Sequence, residues 1–135
     1  MSRKKGPEGP EYRLLISPHR DEFDQKNTTV IQLETVKAFS NFQYELSVRE
    51  TLTDNTIHFK VLGLQTPQLS LPSTGHARFI REFDNLNGTY KLAIEGLDGR
   101  VNTFSLRITP KQVKVLSAPD HPFVEILTDK IFWSQ

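Results

Sequence analysis

Residues 88–109 read GTYKLAIEGLDGRVNTFSLRIT, and no other stretch restricts the fold as much. Tyr90, Leu92 and Ile94 alternate with Lys91, Ala93 and Glu95. Phe104, Leu106 and Ile108 alternate with Thr103, Ser105 and Arg107. Period-two alternation marks strands with one buried face, and Leu97-Asp98-Gly99 between them is a turn signal. Loop length follows from register. A two-residue Asp98-Gly99 loop would set Leu92 against Ser105. A three-residue loop pairs Gly96 with Arg100 and so sets Leu92 against Phe104 and Tyr90 against Leu106. A one-residue slip moves every side chain to the other face, so the three-residue loop is predicted. Gly99 then takes the left-handed position of a type I turn closed by a bulge.

A second hairpin is legible upstream. Phe42, Tyr44, Leu46 and Val48 alternate with polar residues, and Ile57, Phe59 and Val61 resume the pattern after a Thr53–Thr56 turn. Here the two-residue Asp54-Asn55 loop gives the matching register, with Leu52 opposite Ile57 and Val48 opposite Val61. The same register sets Glu50 against Phe59, which places the carboxylate at a rim. It also sets Arg49 against Lys60. Like charges directly opposed are destabilising, so Glu45, a neighbouring strand or an acidic partner must relieve them.

The remaining segments are shorter. Residues 12–17 predict a first strand with Tyr12, Leu14 and Ile16 on one side. Residues 28–36 are rich in β-branched side chains, which favours a strand, although the spacing also fits a helix running through Phe39. Ala77, Phe79 and Phe83 alternate within residues 76–84, but Arg81 shares their parity, which predicts a bulge or an edge position. PQLSLP (67–72) is bracketed by prolines and reads as an edge strand or extended loop. Val113 and Val115 predict another strand. Residues 123–127 fit a last strand or the start of a short helix, with Asp120 or His121 capping and Pro122 early in its first turn, and the all-β class decides for the strand. Residues 18–27 read as a polar loop; its Asp21, Glu22 and Asp24 lack the glycine and terminal glutamate of an EF-hand loop, so a solvated loop is predicted. Short strands with regular turn signals, and no long amphipathic helix between them, predict an all-β fold: an antiparallel β-sandwich of about eight or nine strands.

Leu86-Asn87-Gly88-Thr89-Tyr90-Lys91-Leu92 resembles the tyrosine corner of immunoglobulin-like sandwiches. Gly88, Tyr90 and Leu92 match its glycine, tyrosine and core positions. The chain has no cysteine for the inter-sheet disulfide and no earlier Trp to pack on it. The resemblance implies the immunoglobulin-like superfold and no particular family within it.

The chain has 135 residues, enough for one domain. Residues 1–11 are charged and rich in Gly and Pro, so a disordered tail is expected there, with the domain in residues 12–135. A net charge of +1 argues against a polyanion-binding surface over the whole domain. Zero cysteines exclude a disulfide scaffold and thiol chemistry. No apolar run approaches the roughly 18 residues of a membrane span. With no signal-peptide pattern at the start, a cytoplasmic location is expected.

No chemistry is assigned. His19, His58, His76 and His121 form neither an HxH nor an HExxH pair, and only folding could gather His76 with His121. No serine sits in a G-x-S-x-G elbow, and both glycine-rich nucleotide fingerprints are missing. No catalytic, metal or cofactor residue is therefore named. Asn27-Thr28-Thr29 and Asn87-Gly88-Thr89 are glycosylation sequons, relevant only in a eukaryotic secretory setting. For binding, Ile131, Phe132 and Trp133 stand out. Such residues dock on a protein partner or fold back over an open end of the domain. The expected function is a non-enzymatic interaction or structural subunit that meets another protein, or a second copy of itself, through an edge strand or this aromatic segment. A capsid-like or nucleic-acid-associated role, with Arg3, Lys4 and Lys5 touching phosphates, ranks second. An enzyme of unrecognised type ranks third.

Overall fold

The computed structural model describes residues 10–39, 44–65 and 75–128. They form nine strands and no helix: β1 (Tyr12–Asp21), β2 (Lys26–Phe39), β3 (Glu45–Thr53), β4 (Thr56–Gln65), β5 (Gly75–Asp84), β6 (Gly88–Glu95), β7 (Val101–Ile108), β8 (Val113–Ser117) and β9 (Val124–Leu127). The fold is all-β, as the alternation predicts. All nine strands join one curled sheet in the order β8-β7-β6-β4-β3-β5-β2-β1-β9.

Both predicted hairpin registers are present. Leu92 pairs with Phe104 and Tyr90 with Leu106, Gly96 N–H donates to Arg100 O at 2.9 Å, and Gly99 has φ +88°. Across β3 and β4, Leu52 pairs with Ile57, Val48 with Val61 and Arg49 with Lys60. Asp54, the first loop residue, has φ +54°, a conformation Asp tolerates better than most side chains. The like charges are relieved from the neighbouring strand: Glu95 of β6 lies 4.0 Å from Lys60 Nζ and 3.3 Å from His58 Nε2.

The expected antiparallel arrangement needs correcting. β1–β9, β3–β5 and β4–β6 are parallel, so the sheet is mixed. The reason is physical. A short loop makes its two strands antiparallel neighbours, and the loops of β1–β2, β3–β4, β6–β7 and β7–β8 do so here. The parallel contacts join strands far apart in sequence, where no loop dictates direction.

Among the described residues β3 and β5 meet at the single pair Glu45–Arg78 and then separate. Two misfits in the sequence pattern meet at this split. Glu50 shares the core-facing parity of β3, and Arg81 that of β5. The Arg81 Nε donates to both Glu50 oxygens, at 2.7 and 2.8 Å, and the guanidinium lies over Phe83, 4.8 Å from its centroid. Neither residue marks a bulge. Each neutralises the other where the sheet opens to water.

One core is shared by strands on both sides of that split. Leu14 and Ile16 of β1, Ile31 and Leu33 of β2, Ile57 and Phe59 of β4, Leu92 and Ile94 of β6, and Leu106 and Ile108 of β7 are fully buried. Each contributes about 1.5–3 kcal/mol by leaving water. Phe59 meets Phe79 of β5 edge to face at 5.5 Å, so the β4 and β5 sides are joined through rings as well as through the Glu45–Arg78 pair. On the opposite face of β2, Glu34 is buried between Arg13 and Arg78, with each Nε 3.1 Å from a carboxylate oxygen. Gln32 Nε2 also donates to Glu34 at 3.1 Å.

Candidate functional site

β8 and β9 are the two ends of the strand order. The curl brings them to one side of the molecule, and the seam between them is the candidate site. Its geometry starts with how β9 is held. Among the described residues four pairs, Tyr12–Val124 to Leu15–Leu127, join it to β1. Glu11 N–H and Tyr12 N–H both donate to Phe123 O, at 2.8 and 3.1 Å. On the other flank, Asn102 of β7 is buried at a core-facing position. Its Oδ1 accepts from Phe123 N–H at 2.7 Å and from Val124 N–H at 3.2 Å. A side chain replaces a backbone ladder there.

The same corner is clamped by charge. Arg100 Nη2 lies 2.6 Å from Glu11 Oε2, its Nε donates to Asp98 at 2.5 Å, and its guanidinium stacks over Phe123 at 4.8 Å. The Arg100 backbone N–H and then its side chain hold the Asp98 carboxyl below the usual range, and Glu11 and Asp98 raise Arg100. Tyr12 packs edge to face on Phe123 at 6.3 Å, and burial pushes its phenol up.

Strand edges follow from alternation. Glu11 O accepts from Val36 N–H, so odd-numbered residues of β1 aim their N–H and C=O at β2, and even-numbered ones aim at β9. Pro18 falls on the β9 side and has no N–H to offer a neighbouring strand, which blunts that edge. In β8 the turn bond from Thr109 N–H to Gln112 O fixes the phase. Arg107–Lys114 is then a hydrogen-bonded pair, and Val113 and Val115 turn their N–H and C=O away from β7 into the seam. In β9 the groups of Phe123, Glu125 and Leu127 face β1, so Ile126 faces the seam. Among the described residues no backbone hydrogen bond joins β8 to β9.

The seam also has an apolar floor. A cleft of about 480 Å³ is lined by Pro10, Phe104, Val115, Pro122, Val124 and Ile126, with Glu125 at its rim. Val115 is 40% exposed and Leu116 54%. Toward the other end the seam widens into a hollow of about 610 Å³ among Pro18, His19, Arg20, Lys111 and Thr128. Exposed strand backbone beside apolar surface can accept a further strand.

No family model, curated protein or solved structure matches the chain.

Other candidates divide plainly. Arg3, Lys4, Lys5, Ile131, Phe132 and Trp133 lie outside the described residues, as does the 67–72 segment. His76 Nδ1 sits 2.8 Å from Thr35 O, and His58 is engaged by Glu95. Among the described residues no three His, Asp or Glu side chains cluster as metal ligands. No helix there is long and apolar enough to cross a membrane. Asp21 Oδ1 caps its own turn, accepting from Phe23 and Asp24 N–H, and those bonds lower its pKa. Asn27 and Asn87, the two sequon asparagines, line one small hollow of about 130 Å³. Sequence reasoning missed Asn102 altogether. Its signal was a polar residue at the inward parity of Phe104 and Leu106.

Proposed function

We propose that the chain is a non-enzymatic interaction subunit that takes an extended segment of a partner protein as an added strand along β8. One observation carries this: the N–H and C=O groups of Val113 and Val115, which have no backbone partner among the described residues, face a seam with an apolar cleft of about 480 Å³. Main-chain bonds would supply affinity, and side chains alternating into the cleft would supply selectivity. An immunoglobulin-like reading of the scaffold has two supports. Tyr90 Oη accepts from Asn87 N–H at 3.1 Å, the bond a tyrosine corner makes to backbone upstream. The β3–β5 contact, one pair among the described residues, also separates a five-strand half from a four-strand half around a shared core.

Val115→Pro tests the function. It deletes the one donor aimed at the seam from that position and leaves the Arg107–Lys114 bonds to β7 in place. Tagged chain captured from native extract is expected to bring down a stoichiometric partner, and Val115→Pro to lose it with near-unchanged thermal stability. Equal recovery by both chains, or no stoichiometric partner at all, would overturn the proposal.

A further inference from the structure

We infer that the strand accepted along β8 is the C-terminal end of its partner, running antiparallel to β8 with its terminal carboxylate in the basic hollow at Val113. This rests on β8 being a strand-accepting edge, and adds which end of the partner the seam takes and what that end must carry.

The seam has a sense. Val113 lines the wide hollow and Val115 the apolar cleft, so β8 runs from hollow to cleft. β9 runs the other way, with Val124 and Ile126 at the cleft and Thr128 at the hollow.

The two ends of the seam also differ in charge. Glu125 stands at the rim of the cleft. The hollow, about 610 Å³, is lined by His19, Arg20 and Lys111, and no carboxylate joins them among the described residues. Arg20 Nη2 donates to Gln25 Oε1 at 3.0 Å, a neutral partner. Neither Arg20 nor Lys111 forms an ion pair among the described residues. Asp21, next along the chain, spends Oδ1 on the N–H groups of Phe23 and Asp24. Two uncompensated cations therefore face the hollow.

The backbone adds a donor. Val113 N–H has no backbone partner among the described residues and points into the same space. A strand antiparallel to β8 makes a hydrogen-bonded pair with Val115 and then, two residues further along itself, with Val113. In such a pair Val113 N–H donates to the carbonyl of the residue opposite. When that residue is the last of its chain the acceptor is a carboxylate, and the bond is roughly twice as strong as a neutral one. The chain end then points past Val113 toward Lys111. A strand laid the other way would bring a terminal ammonium to the same cations. The residue opposite Val115 shares its face, so its side chain enters the cleft against Phe104, Val124 and Ile126. The partner is thus specified by a free carboxylate and an apolar side chain third from the end.

Synthetic heptapeptides with leucine third from the end and the other positions randomised provide the test. They are arrayed in two forms, free carboxylate and C-terminal amide, and probed with the full chain. Hits are expected among the carboxylates, and fluorescence anisotropy should show each hit weakened about ten-fold or more by amidation. Arg20→Gln with Lys111→Gln, both at exposed positions, should bring the carboxylate form down to the amide's level and leave the thermal midpoint in place. Hits that bind equally well as amides would overturn the inference. So would carboxylate hits indifferent to the double substitution, hits that owe their affinity to an internal Asp or Glu, or an array with no hits in either form. The two proposals fail separately. Peptides bound alike as acid and amide but lost in Val115→Pro sink the carboxylate seat and leave the strand edge. Carboxylate-selective binding that survives Val115→Pro sinks the strand edge and leaves only an anion-binding hollow.

Discussion

Asn102→Leu is expected to lower stability by about 2–4 kcal/mol, with the loss concentrated at β9. Leucine keeps the bulk of asparagine but removes Oδ1, the acceptor shared by Phe123 and Val124 N–H. Each buried donor left without a partner costs about 1–3 kcal/mol. That is a large share of the roughly 5–15 kcal/mol that holds a domain folded. Urea unfolding would show the shift in midpoint, and amide exchange would show where it falls. The Phe123 and Val124 amides should exchange much faster, while Leu92 and Phe104 in the β6–β7 ladder change little. A shift below about 0.5 kcal/mol, within the range of ordinary surface substitutions, would mean that Asn102 does not pin the strand.

The second large effect is expected at Phe59. Phe59→Ala should cost about 3–5 kcal/mol, the usual range for deleting a buried ring. Phe59 is fully buried on β4 and its edge contact with Phe79 ties β4 to β5 beyond the point where β3 and β5 part. Phe23→Ala is the internal control: the same deletion at a side chain 96% exposed should leave the urea midpoint where it is. Similar losses at both sites would show that burial of Phe59 against Phe79 does not hold the two sides of the split together.

How much of this was written in the sequence depends on the distance over which each interaction acts. The hairpin registers were fully legible, because a loop of known length and a two-residue period leave one matching solution at Leu92–Phe104 and another at Leu52–Ile57. Glu50 and Arg81 were legible as misfits, whereas Asn102 was passed over. All three break a core-facing pattern, and each does so to satisfy a group on a strand distant in sequence. Their partners could not be read, since nothing local to Arg81 points to Glu50, and nothing in β7 points to Phe123. The same limit explains the parallel pairs. β9 fits a strand or the start of a short helix, and the fold class alone decides for the strand; its direction beside β1 is set by the Asn102 and Glu11–Arg100 contacts that deliver it there. The seam inherits that obscurity. Val113 and Val115 show the alternation of a half-buried strand; that β8 is the last of its row is visible only once the row exists.

The open seam is tested most directly by trapping cysteine pairs, since the chain has none of its own to interfere. Leu15 and Leu127 are paired neighbours on the same face of parallel β1 and β9, within the Cα separation of about 4.4–6.8 Å that a disulfide spans. Leu15→Cys with Leu127→Cys is expected to oxidise rapidly to an intramolecular bridge, while Val115→Cys with Ile126→Cys, set on opposite walls of the cleft, stays reduced. Bridging of Val115→Cys to Ile126→Cys in place of the first pair would contradict it, because that bond forms only if β8 and β9 are already neighbours and no seam exists.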